Sequence, residues 1–93
     1  MFRPSRSAVL IEDEALTRAL LESLLATLGF TVTAVDNAAA GIKAVSESDP
    51  DLLISDLDLG DGPSGAHAIE WTERNCPWVA VVILTIHRNP LLA

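Results

Sequence analysis

The feature that most constrains this chain is an alternation of two kinds of segment. Short, continuous apolar runs take turns with longer stretches whose apolar residues recur every three or four positions. Ala8 to Ile11 is such a run, and it leads straight into Glu12, Asp13 and Glu14. An unbroken apolar run of that length reads as a parallel strand buried on both faces. From Glu14 to Leu28 the spacing is helical, with Leu16, Leu20 and Leu24 on one face and Leu21, Leu25 and Leu28 beside it. Gly29 is the expected left-handed stop, with Phe30 packing back on the last turn.

Thr31 to Val35 is β-branched and reads as a second strand. Asp36 or Asn37 can cap the next helix, Ala38 to Glu47. Its interior Gly41 costs about 1 kcal/mol relative to Ala and predicts a weak helix. Ser48, Asp49 and Pro50 end it, and Leu52 to Ile54 form a third strand that reaches Asp56. Gly60 to Ser64 make a loop, and a third helix, Gly65 to Arg74, carries Ile69 and Trp71. After Asn75, Cys76 and Pro77, the run Val79 to Leu84 reads as an interior strand with Thr85 at its end. Pro90 blocks a regular helix through the tail. The order β-α-β-α-β-α-β argues for an α/β fold, a doubly wound parallel sheet with helices on its faces.

With 93 residues there is room for one domain, expected over 8–93 after a flexible leader at 1–7. A net charge of −7, from 13 acidic and 6 basic residues, argues against nucleic acid and anionic membranes as partners. No apolar stretch approaches the length of a membrane-spanning helix. Cys76 is the only cysteine, so no intramolecular disulfide forms, which fits a reducing cytoplasm. His67 and His87 lack partners at metal spacing and read as solvated, Cys76 as inert, and Trp71 and Trp78 as packing residues. Gly60, Gly62 and Gly65 lack the lysine of a phosphate loop, and turn geometry accounts for them.

In an open parallel sheet, ligands bind beyond the carboxyl ends of the strands. The polar residues fall there: Glu12 and Asp13 after strand one, Asp56 at the end of strand three, Thr85 at the end of strand four. Carboxylates brought that close repel, and at least one pKa rises unless a cation intervenes. Mg²⁺ suits such a cluster because it takes oxygen ligands and keeps several waters. A carboxylate beside it could act as a nucleophile toward a phosphoryl group. Plainer roles stand beside these. Glu12 and Asp13 could be helix N-terminal acids favoured by the macrodipole. Asp56 could be an ordinary turn aspartate, Asp58 and Asp61 solvated loop acids, and Thr85 a β-branched strand residue.

Three motifs in order resemble a known family. Val9-Leu10-Ile11-Glu12-Asp13-Glu14 resembles the start of a response-regulator receiver domain. Leu53-Ile54-Ser55-Asp56-Leu57-Asp58-Leu59 resembles its phosphoacceptor strand, and Val82-Ile83-Leu84-Thr85 its switch strand. The resemblance spans about Ala8 to Thr85 and implies a flavodoxin-like order of strands. It implies that Asp56 is the phosphoacceptor and that Glu12, Asp13, Asp56 and the backbone carbonyl of Asp58 hold Mg²⁺. Thr85 would be the switch hydroxyl. The chain would be a cytoplasmic signalling module, not an enzyme. It would take a phosphoryl group from a sensor histidine kinase or phosphotransfer protein.

The sequence departs from the family's pattern in three places. The loop Gly60 to Gly65 is one residue longer than usual, and a bulky Ile86 follows Thr85. The family also continues through a fifth strand ending in a lysine and a last helix, so this sequence reads as an incomplete receiver. Its only lysine, Lys43, lies in the second helix. Strand four is then an apolar edge, expected to self-associate. Two alternatives follow: a degenerate receiver serving only as a protein-interaction module, or a truncated product with no function of its own. A small hydrolase using the same carboxylates ranks last.

Overall fold

The computed structural model describes residues 6–59 and 64–84. Its elements are β1 (Arg6–Ile11), α1 (Ala15–Thr27), β2 (Phe30–Val35), α2 (Ala38–Ser48), β3 (Leu52–Asp56), α3 (Gly65–Asn75) and β4 (Ala80–Leu84). The strands form one parallel sheet in the order β2-β1-β3-β4. That order reverses direction between β2 and β3, on either side of β1, so a crevice opens at the carboxyl end of β1. Residues 1–5, the Gly60 to Pro63 part of the loop, and Thr85 to Ala93 lie outside the described residues.

Strand β1 is the spine of the core. Ala8, Val9, Leu10 and Ile11 are all fully buried, and their alternation serves two layers. Leu10, with Ile54 of β3, packs under Leu25 of α1 together with Leu21 and Phe30. Val9, Ile11 and Leu53 pack on the opposite face against Ala38, Val45, Ala68 and Ile69 of α2 and α3. One helix on one face and two on the other give the doubly wound arrangement that the segment order implies.

Strand β1 starts at Arg6, two residues before the apolar run. The reason is polar: the Ser7 N–H donates to Asp51 Oδ2 at 2.8 Å, and the Asp51 N–H donates back to the Ser7 carbonyl. Helix α1 is capped by Glu14, whose carboxylate accepts from the Thr17 N–H at 2.6 Å. Gly29, at φ +97°, ends it as the sequence predicts. Phe30 belongs to β2 and packs in the core under α1. Asn37 is the cap of α2, accepting from the Ala40 N–H at 2.8 Å.

One expectation changes, and two points left to the structure are decided. In α1 the row Leu16, Leu20, Leu24 is exposed, and Leu25, with half-buried Leu21, faces the sheet. Adjacent leucines in two rows leave the buried face undecided by periodicity alone; the fixed first turn at Glu14 decides it. Among the described residues β4 is an apolar edge, as expected for a strand with no further neighbour: Val79 just before it is buried, while Val82 and Ile83 are exposed. Among the described residues β3 is its one strand neighbour. Trp71 packs against the core, but Trp78 is exposed and donates its indole N–H to Asp49 Oδ1 at 2.7 Å.

Candidate functional site

The carboxyl ends of β1 and β3 lie side by side, with Ile11 paired to Ser55. Each chain therefore delivers its next acid to one place. Carboxylate oxygens of Glu12, Asp13 and Asp56 lie within 4.8 Å of one another. Glu12 and Asp56 are buried and Asp13 is exposed, so the cluster is a pocket with one solvent-facing wall.

Its hydrogen bonds are uneven. The Glu14 N–H donates to Glu12 Oε1 at 3.1 Å, whereas Glu12 Oε2 is buried with no hydrogen-bond partner. Burial pushes the Glu12 carboxyl above the usual carboxylate range. The Glu14 N–H pulls it back, and contact with Asp56 and the charges of Asp56 and Asp13 push it up again. Asp56 Oδ1 accepts from the Asp58 N–H at 3.1 Å, which fixes the side chain at the start of the loop.

Residues that the motifs do not name hold this pocket in shape. Arg18, one turn into α1, donates from Nη1 to the Glu12 carbonyl at 3.0 Å and to the Asp13 carbonyl at 3.5 Å. It ties the acidic loop to the helix, and its cue in the sequence is a lone cation one turn after the acids. Buried Ser55 donates from Oγ to the Asp56 carbonyl at 3.0 Å. A β-carbon on Gly65 would overlap that same carbonyl. Gly65 is therefore required for a close approach of α3 to β3, which turn geometry alone does not explain.

The site thus brings together Glu12, Asp13 and Asp56, with Asp58 beside them through its backbone. Thr85 and Ile86 lie outside the described residues. His67 and Cys76 lie on or after α3, away from β1, and Asp49 and Asp51 are engaged at the other end of the sheet. A buried, orphaned carboxylate oxygen among three acids fits a hard divalent cation such as Mg²⁺, which would supply the missing positive charge.

A parallel α/β sheet with an acidic cluster at the carboxyl ends of adjacent strands defines the doubly wound class of proteins, whose ligands sit at that edge. Comparison with known proteins narrows the class. Residues 8–93 match the family described as "Response regulator receiver domain", and the chain belongs to that family. It is 31% identical over 79 residues to the DNA-binding transcriptional regulator NtrC of Escherichia coli K12, an alignment covering 85% of this chain and 17% of NtrC. Among solved structures, it resembles the signal receiver domain of a LuxO repressor protein from Vibrio parahaemolyticus. The TM-score is 0.80 at 27% identity, covering 97% of this chain and 68% of that one. It shares the fold of the response regulator TrrA from Thermotoga maritima, with a TM-score of 0.82 at 22% identity, covering 88% of this chain and 70% of that one. The chain is a receiver domain of a response regulator, with its acidic residues clustered like a phosphorylation site. No helix among the described residues is long and apolar enough to cross a membrane.

Proposed function

We propose that Asp56 accepts a phosphoryl group, and that a cytoplasmic sensor histidine kinase or phosphotransfer protein donates it. The observation that carries this reading is the convergence of the Glu12, Asp13 and Asp56 carboxylates within 4.8 Å. In the step itself an Asp56 carboxylate oxygen attacks phosphorus, the phosphorus–nitrogen bond to the donor imidazole breaks, and the imidazole nitrogen takes up a proton. Mg²⁺ bound at the acidic cluster would neutralise charge on the incoming phosphoryl oxygens. Glu12 and Asp13 are its ligands in this reading, with Asp56 and the Asp58 carbonyl completing the protein's share. TrrA was solved in complex with Mg²⁺ and beryllofluoride, which supports the assignment by analogy of fold. Asp58 positions Asp56 through its N–H, Ser55 holds the Asp56 carbonyl, Gly65 leaves that carbonyl room, and Arg18 holds the Glu12–Asp13 backbone. Thr85 follows β4 and would donate its hydroxyl to the phosphoryl group, a two-state contact that reports phosphorylation.

The test is intact-mass measurement of the folded chain after incubation with Mg²⁺ and a small-molecule phosphodonor. One added phosphoryl group, absent in Asp56→Asn, is the expected result. No addition to a chain shown by circular dichroism to be folded would sink the proposal.

A second reading is a protein-interaction module that uses the β4 edge. Val82 and Ile83 are 43% and 51% exposed, and Ile83 lines a cleft of about 460 Å³ with Leu57, Ile69, Glu70 and Arg74. An apolar strand with a neighbour on one side among the described residues invites strand addition.

A further inference from the structure

The stretch Glu12 to Glu14 carries two of the three clustered acids and belongs to no strand or helix, yet it is tied at several points. The Glu12 N–H donates to the Val35 carbonyl of β2 at 3.0 Å. Glu12 Oε1 accepts from the Glu14 N–H at 3.1 Å. Arg18 Nη1 donates to the Glu12 carbonyl at 3.0 Å and to the Asp13 carbonyl at 3.5 Å. Arg18 is itself fixed, because its N–H donates to the Glu14 carbonyl at 2.9 Å in the first turn of α1. One side chain therefore fastens the backbone of both acids to the helix. The other described cations lie elsewhere. Arg6 opens β1 at its amino end, and Lys43 and Arg74 pair with Glu47 on α2 and Glu70 on α3.

A cation beside a metal site acts in two ways of opposite sign. Its charge repels the ion and weakens binding. Its hydrogen bonds can also hold the ligand residues in place, so that binding no longer bears the cost of ordering them. Arg18 bonds to the backbone carbonyls of the acids, not to their carboxylates. It therefore leaves the carboxylate oxygens to an ion, and the buried Oε2 of Glu12 is without a partner. That division of labour favours the second effect over the first.

Resting on the reading that Glu12 and Asp13 hold Mg²⁺, we propose that Arg18 is a positioning residue that raises the Mg²⁺ affinity of the cluster. Although a cation, it tightens the binding of a cation by fixing the backbone of both ligand residues.

The test is Mg²⁺ titration of the full chain and its Arg18 variants by isothermal calorimetry, each first shown by circular dichroism to be folded. Arg18→Met keeps a straight side chain of good helix propensity and removes the charge and the donors. Its Mg²⁺ dissociation constant should rise about tenfold or more, as for other groups that orient metal ligands. In phosphodonor labelling of Asp56, the Mg²⁺ concentration for half-maximal rate should rise in step, while the rate at saturating Mg²⁺ stays close to that of the wild type. Arg18→Lys keeps the charge but not the planar fork of donors, so its affinity should fall between the two. Tighter Mg²⁺ binding in Arg18→Met would show that charge repulsion is the larger effect and overturn the proposal. An unchanged dissociation constant would leave Arg18 a purely structural contact and overturn it equally. Should Arg18→Met fail to fold, wild-type affinity in Arg18→Lys overturns the proposal. A wild-type chain that binds no Mg²⁺ overturns the metal reading and the proposal with it, whereas a wild type that binds, with variants that bind as tightly, overturns the proposal alone.

Discussion

Glu12 lies buried against Asp56, with one carboxylate oxygen bonded to the Glu14 N–H and the other without a partner. Burial raises its pKa, and the neighbouring carboxylates reinforce the shift. In the metal-free chain the folded state therefore binds this proton more tightly than the unfolded state does. Below the unfolded pKa of about 4.3 Glu12 is protonated in both states and costs nothing. As pH rises from there through the raised folded pKa, its contribution to stability falls. Glu12→Gln removes the titration and supplies an amide that can donate to Asp56. In metal-free urea melts the variant should gain on the wild type as pH rises from 4 to 7. The gain should reach about 1 kcal/mol, the scale of relieving a buried unsatisfied acceptor. A constant difference across that range would show that Glu12 does not carry the burden.

The same strain predicts a response to Mg²⁺. An ion that binds the folded cluster and not the unfolded chain must stabilise the fold by linkage, by about 1.4 kcal/mol at ten times its dissociation constant, and so raise the melting temperature. Asp13 is the exposed member of the three, so Asp13→Asn should leave the metal-free chain nearly unchanged yet abolish most of the Mg²⁺ stabilisation. Thermal melts with and without millimolar-range Mg²⁺ check both halves. A wild-type melt indifferent to Mg²⁺ would mean that the cluster does not bind it.

Much of this architecture is legible in the sequence because its signals are local and redundant. The apolar runs ending in Ile11, Ile54 and Leu84 gave the strands, and Gly29 and Asn37 marked helix ends by their own backbone chemistry. The acids at positions 12, 13 and 56 could be brought together because a parallel sheet presents all its carboxyl ends at one edge. What stayed hidden depends on relationships between elements. Which leucine row of α1 faces the sheet is fixed by the helix's rotation, and both rows have helical spacing. Arg18 acts on backbone carbonyls and Gly65 on a close approach, so neither belongs to a motif of side chains.

The two buried helix glycines make that last distinction measurable. A β-carbon at Gly41 would meet the end of the Ile11 side chain, Cδ1 and Cγ1, and a rotamer change there can relieve the clash at about 1 kcal/mol. Ala in place of Gly in a helix returns about the same amount, so Gly41→Ala should be close to neutral in urea unfolding. At Gly65 the obstacle is the Asp56 carbonyl itself, with Ser55 Oγ behind it. Backbone cannot rotate away, and α3 or the end of β3 must shift. Gly65→Ala should therefore cost about 3 kcal/mol, the upper range for overpacking. It should also slow phosphodonor labelling of Asp56, even under conditions where the variant remains folded. If the two substitutions cost the same, the close approach of α3 to Asp56 is not what Gly65 is for.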